Sequence, residues 1–335
     1  MPPGGGIPTT NPLPREGASK PAEVPGTRPP QVRYLLVGLG NLGRKRQGVL
    51  GERCVASVDP VNQEATYAAP DECPTEAYDA VVLAVPDREK LPLLRYFLGR
   101  GKHVLVEKPL LFGSRPEAEA LSELARAHQA VWHTSYNHRF EPLIVALAQW
   151  LRQGGPGQLY HARFFYGNGT AGNIRGTWRE HGRGVLEDLV SHLLDLAEFL
   201  LGYGGTPFES LSMQRNELAT FDHAVLGSQD RRLQLEASYV CWKNTFAIDI
   251  YGELGSAHLN GLLKWGPSEL TLRRRVFPSG VPDETVERRR AAGDPTWQAD
   301  LDAFEARCRA GQLSYDNDLW IASVLDEAGR VAQTV

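Results

Sequence analysis

The sequence predicts an α/β protein of two domains, the first built on a doubly wound parallel sheet. The length of 335 residues exceeds what one hydrophobic core usually holds. Short apolar runs alternate with amphipathic stretches over 31–150, as strands and helices do in βαβ units. The remaining part, 151–335, contains several β-like runs and ends in two helical patterns. We therefore expect a second domain over 151–335, with the last helix able to pack back on the first domain.

Composition and charge exclude several classes of protein. Hydrophobic residues make up 42% of the chain and charged residues 23%, which is typical of a globular protein. The formal net charge of −4 argues against nucleic acid or an anionic membrane surface as a partner. The most apolar stretch, 143–150, is far too short to cross a bilayer. Four widely spaced cysteines match neither a disulfide framework nor a zinc motif and favour a reducing cytoplasm: Cys54, Cys73, Cys241 and Cys308.

Residues 1–30 differ in composition from the rest of the chain. They hold 9 of the 23 prolines and a run of three glycines, a poor basis for a packed element. A basic segment followed by an apolar one is missing, so we expect no secretory signal. We interpret 1–30 as a tail outside the catalytic core and expect deletion of 1–28 to leave activity intact. The alternative is an arm that embraces a neighbouring subunit.

A glycine motif follows the first apolar run. The run Val32–Val37 leads directly into Gly38-Leu39-Gly40-Asn41-Leu42-Gly43, a G-x-G-x-x-G pattern. In this motif one glycine makes the tight turn, one admits a pyrophosphate to the backbone, and one packs the helix on the strand. The pyrophosphate then lies at a helix N-terminus. We therefore assign the following residues to dinucleotide binding: Gly38, Gly40, Asn41, Leu42 and Gly43.

A carboxylate at the end of the second apolar run bears on cofactor choice. The run 54–58 ends at Asp59, which lies 21 residues after Gly38, where the motif expects an acid for the ribose hydroxyls. Such a carboxylate repels the extra phosphate of NADP, so we expect NAD and consider NADP less suitable. The basic run 44–46 is interpreted as a solvated helix face. The alternative is that it compensates a 2′-phosphate.

Further strands and helices complete the predicted parallel sheet. Only about 19 residues separate Asp59 from Asp79, so one helix–strand unit is abbreviated or absent there. The remaining segments alternate in type: strands 80–85, 103–106 and 131–135, and helices 88–100 and 115–128.

One lysine follows a predicted strand at the ligand-binding edge. The strand at Val104 ends in Glu107-Lys108-Pro109, and ligands of doubly wound sheets bind beyond the carboxyl ends of the strands. A partly desolvated lysine beside a positive nicotinamide can exchange a proton near neutral pH, which suits acid–base chemistry. The alternative is an ordinary polar turn.

A second polar cluster lies on a predicted helix. Asp188 and His192 are four residues apart, so they share one helical face. His192 is the natural proton carrier, while Asp188 can orient it or bond the substrate hydroxyl. The alternative is a surface pair. The chain has no H-E-x-x-H motif, so we expect no metal.

Together these segments resemble the Gfo/Idh/MocA family (glucose–fructose oxidoreductase, inositol dehydrogenase, rhizopine catabolism). The matching pieces, spread over about residues 32–325, stand in the family's order: G-L-G-N-L-G at 38–43, A-V-P-D at 84–87, E-K-P at 107–109, Y-N-H-R-F-E-P at 136–142 and G-V-L-E-D-L-V-S-H-L-L-D at 184–195. The resemblance implies a Rossmann domain followed by an α+β domain whose open, mostly antiparallel sheet often forms the subunit interface. A homodimer or homotetramer is therefore expected.

The resemblance also implies roles for individual residues. Lys108, Asp188 and His192 match the family's catalytic lysine and its aspartate–histidine pair. Glu107 matches the position that touches the nicotinamide ribose, and the A-V-P-D segment places Val85 and Pro86 at the cofactor. Asn137 and Arg139 lie in the turn that borders the active site. Two positions depart from the family pattern, Asp87 for asparagine and Lys90 for histidine, and we expect neither to touch the catalytic trio.

The sequence predicts hydride transfer between a sugar carbinol and NAD. A loop rich in amide, hydroxyl and guanidinium groups, 166–179 with Trp178 and Arg179, suits a polyhydroxylated or phosphorylated ligand. By resemblance, the first hypothesis is oxidation at C3 of a nucleotide sugar such as UDP-N-acetylglucosamine. The alternatives are a free sugar or cyclitol dehydrogenase, a bilin or imine reductase, and a non-catalytic regulatory protein.

Overall fold

A computed structural model of the chain describes residues 31–290 and 293–331, apart from the side chains of Trp178, Arg179 and Val331. The expected Pro/Gly-rich tail, 1–30, lies outside the described residues, so the expectations for it stay predictions.

The first sheet has five strands, all parallel, in the order β2-β1-β3-β4-β5. Most of its side chains are fully buried because helices cover both faces, which explains the near-continuous apolar runs. Its strands are β1 Tyr34–Val37, β2 Cys54–Val58, β3 Ala80–Leu83, β4 His103–Glu107 and β5 Trp132–Ser135. Its helices are α1 Asn41–Leu50, α2 Asp87–Leu98 and α3 Arg115–Ala127. The predicted doubly wound sheet is confirmed.

The connection from β2 to β3 contains no α-helix within these described residues. Two short 3-10 turns, Pro70–Glu72 and Thr75–Ala77, take its place. Tyr67 forms an isolated parallel bridge with Val58, which keeps the short connection against the sheet edge. The abbreviated unit predicted from the spacing of Asp59 and Asp79 is therefore confirmed.

The second sheet has eight strands in the order β13-β12-β11-β10-β6-β9-β8-β7, with every pair antiparallel except β6 and β9. Its strands are β6 Leu159–Gly167, β7 Phe208–Gln214, β8 His223–Ser228, β9 Leu233–Ser238, β10 Thr245–Gly252, β11 Gly255–Asn260, β12 Ser268–Arg274 and β13 Asp283–Arg289. The mostly antiparallel sheet implied by the family resemblance is confirmed.

Helices cover one face of this second sheet. They are α4 Pro142–Arg152, the short α5 Ala171–Ile174 and α6 Ser191–Leu201, and a π-helical turn, Leu186–Val190, leads directly into α6. The arginine triplets near 273 and 288 lie on the antiparallel hairpin β12–β13, where Arg273 pairs with Glu284 and Arg288 with Glu269 in exposed ion pairs. The two triplets therefore lie on a solvent-exposed hairpin.

Two helices close the described chain, α7 Thr296–Ala310 and α8 Asp316–Val331. Leu301 and Phe304 of α7 join the core on one face of the first sheet. Most buried residues of α8, including Ile321 and Leu325, belong to the core of the second sheet. Both helices therefore return to parts of the fold formed much earlier in the chain. Among the described residues, no helix is long and apolar enough to cross a membrane.

Candidate active site

The glycine loop has the geometry that its motif requires. Gly38 has a φ of +92°, and a Cβ there would lie 2.3 Å from the oxygen of Ala84. A Cβ on Gly43 would lie 1.9 Å from the oxygen of Gly38, so only glycine lets α1 approach the loop so closely. Gly40 caps α1 without a side-chain hydrogen bond and faces open space. The exposed N-terminus of α1 is therefore shaped for a pyrophosphate.

The other cofactor positions assigned from the sequence surround this loop. Val85 lies beside Gly38, where its Cγ1 would be 3.1 Å from an added Cβ. Pro86 is half-buried and precedes α2, while Asn41 is exposed and Leu42 half-buried at the start of α1. The strand ends thus bring these residues together at one edge of the sheet.

Asp59 organises the loop after β2. Its Oδ2 accepts from the amide of Leu39 at 2.8 Å, and its Oδ1 accepts from the amides of Val61 and Asn62, both at 2.9 Å. Burial alone would raise the pKa of Asp59, but these three amides lower it below its ordinary value. The position expected to read the adenine ribose therefore carries a firmly ionised carboxylate that also ties the glycine loop to β2.

The interpretation of residues 44–46 as a solvated face is wrong for Arg46. Arg44 and Lys45 are exposed, but Arg46 is 1% exposed and donates to Glu107 at 2.5 Å and to Asp300 at 2.9 Å. It cannot reach a 2′-phosphate from there. The helical period turns every third or fourth residue of α1 inward, and acids on β4 and α7 compensate the buried charge.

This buried pair also determines the surroundings of Glu107. The side chain of Glu107 is 8% exposed and its Oε1 is held by the Arg46 guanidinium. Ser135 and His133 add contacts to Asp300 from β5, so the network joins α1, β4, β5 and α7. A role for Glu107 at the nicotinamide ribose stays a prediction.

The turn that presents Lys108 is held by a second lysine. Lys90 is buried on α2, where its Nζ donates to the oxygens of Lys108 at 3.0 Å and Pro109 at 2.8 Å, and pairs with Asp87 at 2.6 Å. The expectation that neither residue touches the catalytic trio is therefore wrong for Lys90, which contacts the main chain of Lys108. The sequence offered no sign of this contact because α2 and the turn after β4 meet only in the folded sheet.

Lys108 contacts Asp188 across the two parts of the fold. Its Nζ donates to Oδ1 and to the main-chain oxygen of Asp188, both at 2.7 Å, and Tyr239 donates to Oδ2 at 3.2 Å. Asp188 lies in the π-helical turn before α6, whose wider spacing changes where its side chain and carbonyl point. The structure thus brings together two residues that the sequence predicted to cooperate.

His192 follows on the first turn of α6 and is almost entirely buried. Its ring stacks on that of His138 with centroids 4.0 Å apart, and Tyr136 meets it edge-on. Its Nδ1 is buried without a hydrogen-bond partner among the described residues. Burial, with smaller effects from Lys108 and Lys264, holds the pKa of His192 well below its ordinary value. His192 is therefore a neutral imidazole with one ring nitrogen unsatisfied.

Asn137 and Arg139, predicted to border the substrate, contact other residues of the protein. Asn137 donates to Thr296 at 2.6 Å and accepts from His138 at 3.1 Å. Arg139 makes a two-pronged ion pair with Asp195 on α6 at 2.7 and 2.5 Å. They join the turn after β5 to α6 and α7, so direct contact with a substrate stays a prediction.

The loop predicted to bind substrate is only partly described. Trp178 and Arg179 lie in a short 3-10 turn, Trp178–His181, and their side chains are outside the described part. In the preceding segment Asn168 accepts from the hydroxyl of Thr170 at 2.6 Å, which fixes the start of the loop. Substrate contacts by Trp178 and Arg179 stay predictions.

Several residues of the site carried little sequence signal. His138 lies between the predicted turn residues Asn137 and Arg139, and Tyr239 and Lys264 stand in segments far along the chain. Tyr166 begins the predicted substrate loop, 166–179, but the structure places it on β6. The only hint for Lys264 was a lone charge inside the apolar run 261–266. Local patterns do not reveal such residues because their roles depend on contacts between distant segments.

A large cleft lies elsewhere in the described part of the fold. It measures about 1430 Å³ and opens between the start of α8, the end of α6 and the segment 111–115. Arg139 and Arg307 line it, while Lys108, Asp188 and His192 are not among its lining residues in the described chain. This cleft is therefore separate from the candidate active site. Within the described residues, no group of three His, Cys, Asp or Glu side chains is arranged to hold a metal ion.

Two family models match the chain. Residues 32–136 match the oxidoreductase family with an NAD-binding Rossmann fold, which defines the class of the protein. Residues 144–258 match the GFO/IDH/MocA C-terminal domain, the companion of that Rossmann domain. The chain belongs to the Gfo/Idh/MocA family of oxidoreductases.

Relatives and solved structures agree with this assignment. Inositol 2-dehydrogenase 4 of Saccharopolyspora erythraea is 29% identical over 191 residues, which cover 51% of this chain and 54% of that protein. The chain thus spans about half the length of the curated relatives it matches. Levoglucosan dehydrogenase in complex with NADH shares the fold, with a TM-score of 0.76 and 16% identity over 90% of this chain and 97% of that one.

A third comparison concerns an enzyme of nucleotide sugars. UDP-N-acetylglucosamine 3-dehydrogenase from Acidithiobacillus ferrooxidans has a TM-score of 0.70 and 20% identity, over 90% of this chain and 97% of that one. At 16% and 20% identity, the levoglucosan dehydrogenase and UDP-N-acetylglucosamine 3-dehydrogenase structures show that the fold is shared.

Proposed function

We propose that the protein is a nicotinamide-dependent dehydrogenase that oxidises a ring carbinol of a sugar or cyclitol, reversibly. The observation that carries this proposal is the contact of Lys108 with Asp188, with neutral His192 on the next turn. Lys108 follows β4 at the edge of the sheet where the glycine loop also lies, so a proton-handling cluster stands where a dinucleotide would bind.

The residues of the chain supply orientation and proton transfer. The nicotinamide, when bound, supplies the hydride chemistry at its C4. Lys108 has three N–H donors and uses two of them on Asp188, so the third can hold the oxygen of the reacting carbinol. His192, kept neutral, carries a proton on one ring nitrogen, so the other ring nitrogen can accept the hydroxyl proton.

NAD is the proposed cofactor. The ionised carboxylate of Asp59 stands at the end of β2, where it would repel a 2′-phosphate. Arg44, the exposed cation nearest in sequence to the loop, is already paired with Glu64 at 2.8 Å. Titrating both cofactors by protein fluorescence tests this choice. Tighter binding of NADP than of NAD would overturn it.

Oxidation at C3 of a nucleotide sugar is the first substrate candidate, supported by an exposed aromatic residue on the loop after β9. Trp242 is 71% exposed and lies three residues after Tyr239, which donates to Asp188. Its loop is tied to Asn168 by the amide of Cys241 at 3.0 Å. An exposed indole on this loop can stack on the base of a nucleotide.

A free sugar or cyclitol is the second candidate. The relatives matched by sequence include inositol 2-dehydrogenases and a levoglucosan dehydrogenase, whose names denote free ring substrates. Both candidates present a ring carbinol, so Lys108 and His192 would hold and deprotonate the hydroxyl group in the same way for either.

A substrate screen separates these candidates. Formation of reduced nicotinamide is followed by absorbance with UDP-sugars, free sugars and cyclitols, in the wild type and in W242A. A nucleotide-sugar enzyme should lose affinity for its substrate in W242A, whereas an enzyme of free rings should not change. Reduction of bilins or imines alone would support that alternative. Cofactor binding without turnover of any compound would support the non-catalytic one.

We also propose a homodimer or homotetramer that joins through the second sheet, and a location in the cytoplasm. The face of that sheet opposite the helices carries exposed large side chains, including Leu211 and Tyr251. The four cysteines form no disulfide in the described chain, as suits a reducing compartment. Light scattering of the purified protein, with L211E as the interface variant, tests the assembly. A monomeric wild type would overturn it.

A further inference from the structure

Lys264 lies behind the proposed catalytic histidine. It sits in a 3-10 turn, Leu263–Trp265, on the connection from β11 to β12. Its Nζ donates to the hydroxyl of Tyr166 at 2.9 Å and lies 3.4 Å from Nε2 of His138. The same ammonium is 4.7 Å from the centre of the Trp265 ring. A cation is thus enclosed by rings and a phenol, close to the site but outside the predicted trio.

A directional chain of hydrogen bonds begins at this ammonium. Because Lys264 can only donate, Nε2 of His138 must accept, and the ring proton of neutral His138 is therefore on Nδ1. That Nδ1 then donates to Oδ1 of Asn137 at 3.1 Å, and the amide of Asn137 donates to Thr296 at 2.6 Å. Thr296 in turn donates to Asp294 at 2.5 Å. The chain runs from a cation to an anion with every direction consistent.

The middle of this chain forms the wall against which His192 lies. The rings of His138 and His192 are stacked, with centroids 4.0 Å apart and planes inclined by 20°. Tyr166, the other partner of Lys264, contacts both rings, with centroids 5.5 Å from His138 and 6.0 Å from His192. Fixing His138 therefore also fixes the plane of His192.

We propose that Lys264 is a positioning residue for His192: it locks His138 in one tautomer and orientation, and the stacked ring of His138 fixes that of His192. The importance of this for catalysis rests on the proposed dehydrogenase function, in which His192 accepts the hydroxyl proton. Asn137 is the link between His138 and Thr296 of α7, because its oxygen accepts from His138 and its amide donates to Thr296.

The cations around the two histidines lower the pKa of both imidazoles. The pKa of His192 is lowered by burial and then by Lys108 and Lys264. The pKa of His138 is lowered by burial and then by His192, Lys264 and Lys108, while the charge of Asp188 raises it. Burial lowers the pKa of Lys264 itself to about 8, with Asp294, Asp188 and Glu141 opposing this shift and Lys108 reinforcing it. The facing phenols are those of Tyr136 and Tyr166. Two cations therefore face the imidazole pair.

The first test does not depend on activity. Protein labelled with 15N-histidine is titrated by NMR without cofactor, and the resonances of His138 and His192 are assigned from H138N and H192N. In K264M we expect His138 to lose its single tautomer and both midpoints to rise by at least about half a pH unit, because a nearby cation is lost. K264Q keeps a donor but no charge, so the midpoints should rise with the tautomer retained. K264R should behave as the wild type.

K102M is the matched control, because Lys102 lies just before β4 and donates to the main chain of Tyr78. Its histidine spectrum should equal that of the wild type. If K264M and K264Q titrate as the wild type does, with the tautomer of His138 unchanged, the inference is overturned.

The second test uses the pH dependence of kcat/KM on the best substrate. Since protonation of His192 would abolish proton acceptance, the acidic limb should move to higher pH by the NMR shift in K264M and K264Q, and stay in place in K264R and K102M. A merely structural role for Lys264 would lower turnover without moving this limb. Shifted NMR midpoints with no dehydrogenase activity would refute the proposed function alone, whereas activity with an unmoved limb would refute the role of Lys264 alone.

Discussion

The ammonium of Lys108 lies 2.7 Å from both the main-chain oxygen and Oδ1 of Asp188, although the two residues are 80 positions apart. The contact joins the edge of the parallel sheet to the π-helical turn before α6. An acid–base cluster is therefore assembled from both parts of the fold, and neither part contains it alone.

Replacing Lys108 by methionine should abolish most of the turnover while leaving cofactor affinity largely unchanged. We expect kcat to fall by at least about a hundredfold, the lower range for a general acid–base group. Turnover is measured with the best substrate of the screen and cofactor affinity by fluorescence. K102M, at the residue just before β4, is the control, and normal turnover by K108M would remove Lys108 from the mechanism.

Arg46 and Arg44 should differ sharply in their effect on stability. R46M leaves the carboxylates of Glu107 and Asp300 buried without their cation, which should reduce the free energy of unfolding by about 3–5 kcal/mol. R44M removes an exposed ion pair with Glu64 and should cost less than about 1 kcal/mol. Urea unfolding curves measure both values. Equal effects of the two variants would contradict the buried network.

Gly40 and Gly43, near the start of α1, should respond differently to alanine. G43A forces a Cβ to within 1.9 Å of the oxygen of Gly38 and should distort the loop, lowering both stability and cofactor affinity. G40A meets no atom within 4 Å, so the unliganded fold should persist while the new methyl group hinders the pyrophosphate. We expect unchanged melting without cofactor and at least about tenfold weaker binding.

Gly48 supplies the matched control for this series. It lies within α1 and also has open space around an added Cβ, but away from the loop. G48A should keep cofactor affinity and gain up to about 1 kcal/mol of stability from its better helix propensity. Should G40A bind as tightly as G48A, the assignment of the loop to the pyrophosphate would fail.

Asp318 should make the protein less stable as the pH rises. Burial raises its pKa to about 7, and its Oδ1 has no partner among the described residues. In the unfolded chain the pKa is about 3.9, so between these values the folded state holds a proton that the unfolded state lacks. The stability that this proton contributes is therefore fully present below about pH 3.9 and is lost as the pH rises from there through about 7.

Asparagine at position 318 is neutral throughout this range and should remove that contribution. We expect the free energy of unfolding of D318N to depend less on pH than that of the wild type, measured by urea unfolding between about pH 5 and about pH 8. Glu141, with its pKa also raised to about 7, is present in both proteins and cancels in the comparison. D326N, an exposed change on the same helix, should retain the wild-type slope; the same slope in D318N would refute the prediction.

Features with a local signature were predicted well. The strand before Gly38, the glycine spacing, the run ending at Asp59 and the turn with Lys108 all depend on neighbouring residues, so alternation and turn chemistry reveal them. The strand β8 and the full extent of the β11–β13 region were not predicted, because they contribute to a sheet whose partners lie far apart in the sequence.

The sequence by itself determined the parallel sheet, the short connection after β2 and the three residues of the candidate trio. Only the tertiary structure decided that Arg46 is buried, that Lys90 holds the backbone of Lys108, and that Lys264 reaches His138. Each of these is a long flexible cation whose environment is set by partners on other elements; Arg46 and Asp300, for example, are 254 residues apart. A charge pattern along the chain is the same for a solvated cation and a buried one, and packing alone distinguishes them.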